Sequence, residues 1–249
     1  EDAERKETLL DLCRFSTNES EDPISLSQYL EKMPDTQKEI YYISAETSAQ
    51  ALASPHLEGF KSKNIPVLIM TDAIDQFWLP MVGSFKEKKF TSITQGKINL
   101  DELDSKNKDK KNKSNDDKDK QDKEYVDLIA QLKVVLGDQV KDIRLSSKLT
   151  DSPVCLVADE GDMDIAMEQL MAQRDSNYKG APRILEINGD HSLIKNMKSL
   201  LSKKESNDLV SDAGTLLFEQ ARLMEGKMPA DPAQFSKIMN QFLLKAIPN

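Results

Sequence analysis

The stretch from Lys38 to Trp78 constrains the fold more than any other part of this chain. Ile40 to Ile43 and Pro66 to Met70 are short apolar runs rich in β-branched and aromatic residues. The helical pattern between them is about a dozen residues long, as a right-handed crossover between parallel strands requires. Thr47 followed by Gln50 reads as a capping box that starts the connecting helix. The turn after the first strand, Ser44 to Ser48, contains no glycine and carries Glu46 where a pyrophosphate would have to approach, so this crossover is not a phosphate loop. With an opening helix near Ala3 to Phe15, another over Ser27 to Lys32, a helix over Ile74 to Val82 and a strand over Phe90 to Thr94, residues 1–103 read as a small α/β sandwich.

From Asp104 to Glu124 there is no apolar residue, and eight Lys stand against seven Asp or Glu. Such a tract buries too little surface to offset the entropy of ordering it, which predicts a flexible charged linker over 104–124. The competing reading is a helical extension held by Lys and Asp at i and i+4. Beyond it, Val126, Ile129, Leu132, Val135 and Leu136 form one helical face that stops at Gly137. Strands over Asp142 to Ser146, Val154 to Val157 and Arg183 to Ile187, a helix over Asp162 to Arg174 and three further helices make 125–249 an α+β domain with a three-stranded sheet.

Composition excludes several functions. Cys13 and Cys155 are far apart and outside any Cys-x-x-Cys pair, which reads as two reduced thiols and no zinc site. His56 and His191 are the only histidines, too few for most metal or triad chemistry. A net charge of -9 disfavours nucleic acid. No apolar run approaches the roughly 20 residues that span a bilayer, so no membrane partner is expected. Asp159 with Glu160, and Asp162 with Asp164, read as solvated acids at a helix start, without catalytic or metal-binding spacing.

Three apolar features remain. Met163, Met167, Leu170 and Met171 share one helical face, a polarizable surface able to meet varied partners. From periodicity alone that face packs on the sheet of its own domain. Phe77 and Trp78 form an aromatic pair whose rings point about 100° apart on a helix, and such pairs usually belong to a core. Near the end, a helix bearing Leu216 and Leu217 precedes one bearing Phe235, Ile238, Met239, Phe242 and Leu243, with Asp231 as N-cap and Pro232 at N1. A hairpin of two such stripes pairs naturally with its copy across a twofold axis as an intermolecular four-helix bundle.

Ile40-Tyr-Tyr-Ile, Ser54-Pro-His-Leu-Glu, Val67-Leu-Ile-Met-Thr-Asp and Ile74-Asp together resemble the late middle domain of the ninety-kilodalton heat-shock chaperones. Val140-Lys-Asp-Ile-Arg-Leu-Ser, Leu149-Thr-Asp-Ser-Pro, Arg183-Ile-Leu-Glu-Ile-Asn and Met239-Asn-Gln resemble the same family's C-terminal dimerization domain, in the same order, and the bacterial type fits best. The resemblance implies a cytoplasmic homodimer that binds unfolded or partly folded client proteins. It implies that the Met163 helix projects into the dimer cleft and touches client, that Phe77 or Trp78 faces that cleft, and that the terminal helices form the dimer interface. In the family, ATP and Mg²⁺ bind in an N-terminal domain and a catalytic arginine lies earlier in the middle domain. Both are expected upstream of Glu1, where the chain opens without an initiator Met, so the piece in hand is expected to hold no catalytic residue and no cofactor. Without an acidic Met-Glu-Glu-Val-Asp tail, helical-repeat cochaperones are not expected. The rival readings are a two-domain α/β enzyme with an interdomain site and a dimerization adaptor without chaperone action.

Overall fold

The computed structural model describes residues 5–96, 98–103, 111–175, 178, 180–201 and 207–247, with the backbone alone at 101, 102 and 111–122. The chain forms two compact units, one of Glu1–Lys108 with Val157–Ala181 and one of Asp109–Leu156 with Pro182–Asn249. Unit 1 runs through α1 (Lys6–Leu12), β1 (Ser16–Thr17), α2 (Leu26–Lys32), β2 (Ile40–Ser44), α3 (Ser48–Leu52), α4 (Glu58–Ser62), β3 (Leu68–Met70), α5 (Asp75–Val82), β4 (Ser84–Phe85) and β5 (Lys88–Ser92). Unit 2 follows with α6 (Lys111–Leu136), β6 (Val140–Leu145) and β7 (Val154–Val157). The chain returns to unit 1 for α7 (Ile165–Arg174), then completes unit 2 with β8 (Arg183–Ile187), α8 (Ser192–Leu201), α9 (Asn207–Met224) and α10 (Pro232–Ala246). The linear division at 103 and 125 therefore differs from the division by packing, because 157–181 groups with the first hundred residues.

In unit 1 the strand order is β1-β3-β2-β5-β4. β2 lies parallel to both β3 and β5, with Ser44 opposite Met70 and Ile40 opposite Phe90. The parallel crossover expected between 40 and 70 is present, but it holds two short helices and a 3₁₀ turn at Pro55–Leu57. Pro55 disfavours helical backbone at Ser54, which divides the segment, and Ser54 Oγ accepts from the His56 N–H to start the turn. Thr47 caps α3 by accepting from the Gln50 N–H. Residue alternation sends Tyr41, Ile43, Val67 and Ile69 to a core with Ala51, Leu57 and Phe60. Their neighbours Ile40, Leu68, Met70 and Phe90 meet Leu26, Tyr29 and Leu79 on the opposite face. The sheet is covered on both sides, as parallel strands require.

Tyr29 of α2 ties these elements together. Its hydroxyl donates to the Pro66 carbonyl at 2.7 Å and accepts from Gln37 Nε2 at 3.0 Å and from the Tyr41 N–H at 3.1 Å. Burial holds this hydroxyl well above the ordinary phenol range, so it serves as a neutral donor.

Unit 2 has a sheet of order β6-β8-β7, with β6 and β8 parallel. Leu128, Leu132 and Leu136 of α6, Ile194 and Met197 of α8, and Leu217 of α9 pack into one core with this sheet. A side chain at Gly214 would overlap Leu132, so α9 approaches α6 closely there. On the sheet Arg144 faces Glu186, donating through Nε at 3.0 Å and Nη2 at 2.8 Å, while Ser146 Oγ donates to the other carboxylate oxygen at 2.9 Å. This buried acid is thus paired and hydrogen-bonded, the condition under which burial is tolerated.

The flexible-linker expectation needs correction over 111–124, which is helical and continuous with α6, while 104–110 lies outside the described residues. Among the described residues no helix is long and apolar enough to cross a membrane.

Tyr29→Phe removes one donor and two acceptor contacts while preserving the ring. It is expected to lower unfolding free energy by about 1–3 kcal/mol, the range for leaving buried polar groups unpaired, as read from the urea midpoint at constant m-value.

Candidate functional site

Helix α5 separates the two aromatic candidates. Trp78 turns inward: its Nε1–H donates to Asp75 Oδ1 at 2.7 Å, and its ring lies 6.1 Å from Phe15 and 5.7 Å from Phe90. Phe77 lies on the outer surface, with the Arg174 guanidinium 5.9 Å from its ring centroid. Of the two rings left open by the sequence, Phe77 is thus the outward one and Trp78 is half-buried on the core side. Ile74 and Met81 were not among the expected site residues, yet they are 64% and 85% exposed and share the outer face of the segment with Phe77. Their spacing of three and four along the sequence was the available signal.

Burial pushes the Asp75 carboxyl above its ordinary range, opposed by the hydrogen bond from Trp78. A carboxyl raised in the folded state adds stability fully below its unfolded pKa and loses it as pH rises through the folded one. Relative to Asp75→Asn, the wild type should therefore lose stability as pH rises from 3.5 through the raised value and reach a plateau above it. Parallel urea titrations from about pH 3.5 to 7 would read that difference, and a difference that grows with pH would contradict the assignment.

The second candidate, α7, begins at Ile165 rather than Asp162, because Asp164 caps it through an Oδ1 bond from the Ala166 N–H at 2.9 Å. The other oxygen of Asp164 accepts from Ser92 Oγ at 2.5 Å and Thr94 Oγ1 at 2.8 Å, both buried at the end of β5. Backbone bonds reinforce the docking, from Ala158 N to the Thr94 carbonyl and from Gly96 N to the Ala158 carbonyl. Desolvation, and then the nearby Asp164 charge, hold the Tyr42 hydroxyl far above its usual range beside this network. Ile165 and Glu168 are buried, and Glu168 accepts from the Ala181 N–H at 2.9 Å to close the loop after α7.

This placement divides the expected methionine face. Met163 lies before the helix and is exposed, whereas Met167, Leu170 and Met171 are half-buried. Leu170 joins Ala166, Gln169 and Gln173 along a cleft described below. By local sequence Asp164 reads as a solvated acid, since its partners Ser92 and Thr94 lie 72 and 70 positions away. The double variant Ser92→Ala, Thr94→Val should lose about 2 kcal/mol of unit 1 stability, a value within the range for hydrogen bonds to charged groups. It should also raise proteolytic cleavage selectively within 157–181, by peptide mapping under native conditions.

In the terminal helices, Leu217 and Ile238 are buried in unit 2, and Phe242 packs partly against the same core. Leu216 and Phe235 are half-buried. Met239 and Leu243 face outward, joined by Leu244 at 76% and Ile247 at 72% exposure. Asp231 accepts from the Ala233 and Gln234 N–H groups and fixes the start of α10. Of the seven residues expected at an interface, two are thus occupied internally, and Leu244 and Ile247 extend the exposed stripe.

Among the described residues no cluster of His, Cys, Asp and Glu could hold a metal ion. Cys13 is exposed and Cys155 is buried, with its Sγ 3.9 Å from Glu186 Oε2, and among the described residues neither forms a disulfide.

A family model described as Hsp90 protein matches residues 1–248. The chain is 39% identical over 249 residues to the chaperone protein HtpG of Roseobacter denitrificans, covering 99% of this chain and 40% of that protein. It is 38% identical over 247 residues to the HtpG of Paramagnetospirillum magneticum, covering 99% and 39%, and 37% identical over 243 residues to that of Wolbachia pipientis wMel, covering 97% and 38%. The chain thus spans about 40% of the length of these curated relatives.

Proposed function

The chain belongs to the Hsp90 protein family, and from that premise we propose that it acts as part of a molecular chaperone of the HtpG type, in heat-shock and protein-folding duty in the cytoplasm. Residues 1–103 would correspond to the end of the middle domain and residues 125–249 to the C-terminal dimerization domain. The observation that carries this reading is the pair of outward apolar stripes on otherwise well-packed units, Ile74, Phe77 and Met81 on one and Met239, Leu243, Leu244 and Ile247 on the other. Contiguous exposed apolar surface of this kind marks interaction sites.

The α10 stripe would be covered by its copy, giving a homodimer through an intermolecular four-helix bundle with α9. The α5 stripe, with Met163, Met167 and Met171 of the α7 region, would meet unfolded client proteins. ATP and Mg²⁺ would act in other parts of the family's architecture, so the two units contribute assembly and client contact rather than hydrolysis.

One set of variants tests both halves. The wild type should scatter light as a species of about twice 28.1 kDa at micromolar concentration. Met239→Glu with Leu243→Glu should give the single-chain mass with little change in melting, because both side chains are already exposed. Phe77→Ser with Met81→Ser should keep the dimer mass and lower suppression of aggregation of a heat-denatured protein severalfold. A wild type that stays single-chain at high micromolar concentration contradicts the assembly half, and unchanged suppression contradicts the client half.

A further inference from the structure

Ser44 and Met70 are register partners at the ends of parallel strands β2 and β3, so the chain leaves both strands side by side. The Ala45 N–H is held by the Met70 carbonyl at 3.1 Å, and the turns then diverge. Between them opens a cleft of about 330 Å³. Gln76 of α5 forms a third wall, and Ala166, Gln169, Leu170 and Gln173 form the fourth. Those four residues lie at i, i+3, i+4 and i+7, one complete face of α7. Crevices outside the carboxyl ends of parallel strands are where open α/β sheets receive ligands. The volume sits at the small end of the usual range of about 300–1,000 Å³, suited to one side chain with its backbone rather than to a cofactor.

The lining selects the occupant's charge. Glu46 and Asp72 supply two exposed carboxylates, and among the described residues no Lys, Arg or His lines the cleft. The Ser44 hydroxyl oxygen, also in the lining, is out of water with no hydrogen-bond partner among the described residues. Gln173 Nε2 reaches Glu46 Oε1 at 3.2 Å across the rim. Anions are disfavoured, since no donor-rich turn or cation faces inward. Arg174, next to Gln173 in α7, has its guanidinium over the Phe77 ring. Phe77 follows Gln76 directly in α5, so the polar cleft and the outer apolar stripe adjoin.

We propose that this cleft seats a lysine or arginine side chain of an extended, unfolded polypeptide whose neighbouring apolar residues lie on the α5 stripe. The inference rests on the client-binding reading and narrows it: a client segment is recognised by a cation flanked by apolar residues, and not by apolar surface alone.

The test uses the full 249-residue chain and two fluorescein-labelled, unstructured nonapeptides rich in Leu and Phe. One has a central arginine and the other its neutral isostere citrulline. By fluorescence anisotropy at low salt, the arginine peptide should bind about threefold to fivefold tighter, as two exposed carboxylates allow, and the gap should shrink as salt is raised. Glu46→Gln with Asp72→Asn should abolish the gap by weakening the arginine peptide. The control pair Glu21→Gln with Asp22→Asn, exposed acids elsewhere in unit 1, should keep it. Equal wild-type affinities, a gap that survives the cleft variant, or a gap lost equally in the control would overturn the proposal, the last by assigning it to the overall charge of -9. If both peptides bind equally and Phe77→Ser weakens both, only the cation assignment falls. If neither peptide binds, the client reading falls with it.

Discussion

Strand β2 is hydrogen-bonded on both sides by parallel partners, and most of unit 1 follows from that position. A central strand has no free edge, so each of its residues is committed to one face or the other. Ile40 belongs to the layer containing α2 and α5, while Tyr41 and Ile43 belong to the layer containing α3 and α4. The Tyr29 hydroxyl links the two strands from outside the ladder, joining the Tyr41 N–H to the Pro66 carbonyl. The shared end of β2 and β3 also sets the cleft walls, and the end of β5 places Ser92 and Thr94 where Asp164 finds them.

The parallel crossover was legible in the sequence because short β-branched runs and a capped helix start are local signals, carried by residues that are neighbours in the chain. The single connecting helix that periodicity predicts is broken at Ser54 and Pro55, because the proline disfavours helical backbone at the residue before it. In the charged tract, low apolar content predicts disorder for an isolated segment, but 111–124 is an extension of a helix whose later turns are held by Leu128 and Leu132.

Side-chain roles were less legible than elements. Phe77 and Trp78 are adjacent and similar in chemistry, and what separates them is Asp75 one turn back, which captures the indole N–H. The methionine stripe was a sound periodicity, yet its division depended on Ser92 and Thr94, which no local pattern connects to Asp164. In the terminal hairpin, sequence spacing identified the apolar stripe but not which members face inward; Ile238 is buried whereas Leu243 is half exposed.

One carboxylate caps α7 and docks it, and this couples two processes that are usually separate. At 10 residues α7 is shorter than the roughly 12–15 at which isolated helices become even marginal in water. Breaking its docking would remove packing on which its helicity depends, so ordering and docking are coupled. The fourth wall of the cleft exists only in the docked state. Any occupant that touches this wall therefore binds with its intrinsic affinity scaled by the docked fraction, and in turn raises that fraction. The strength of the Asp164 contacts then acts as a gain setting: a tight latch makes the cleft a constant feature, and a weaker one makes it a responsive element that forms as it is filled.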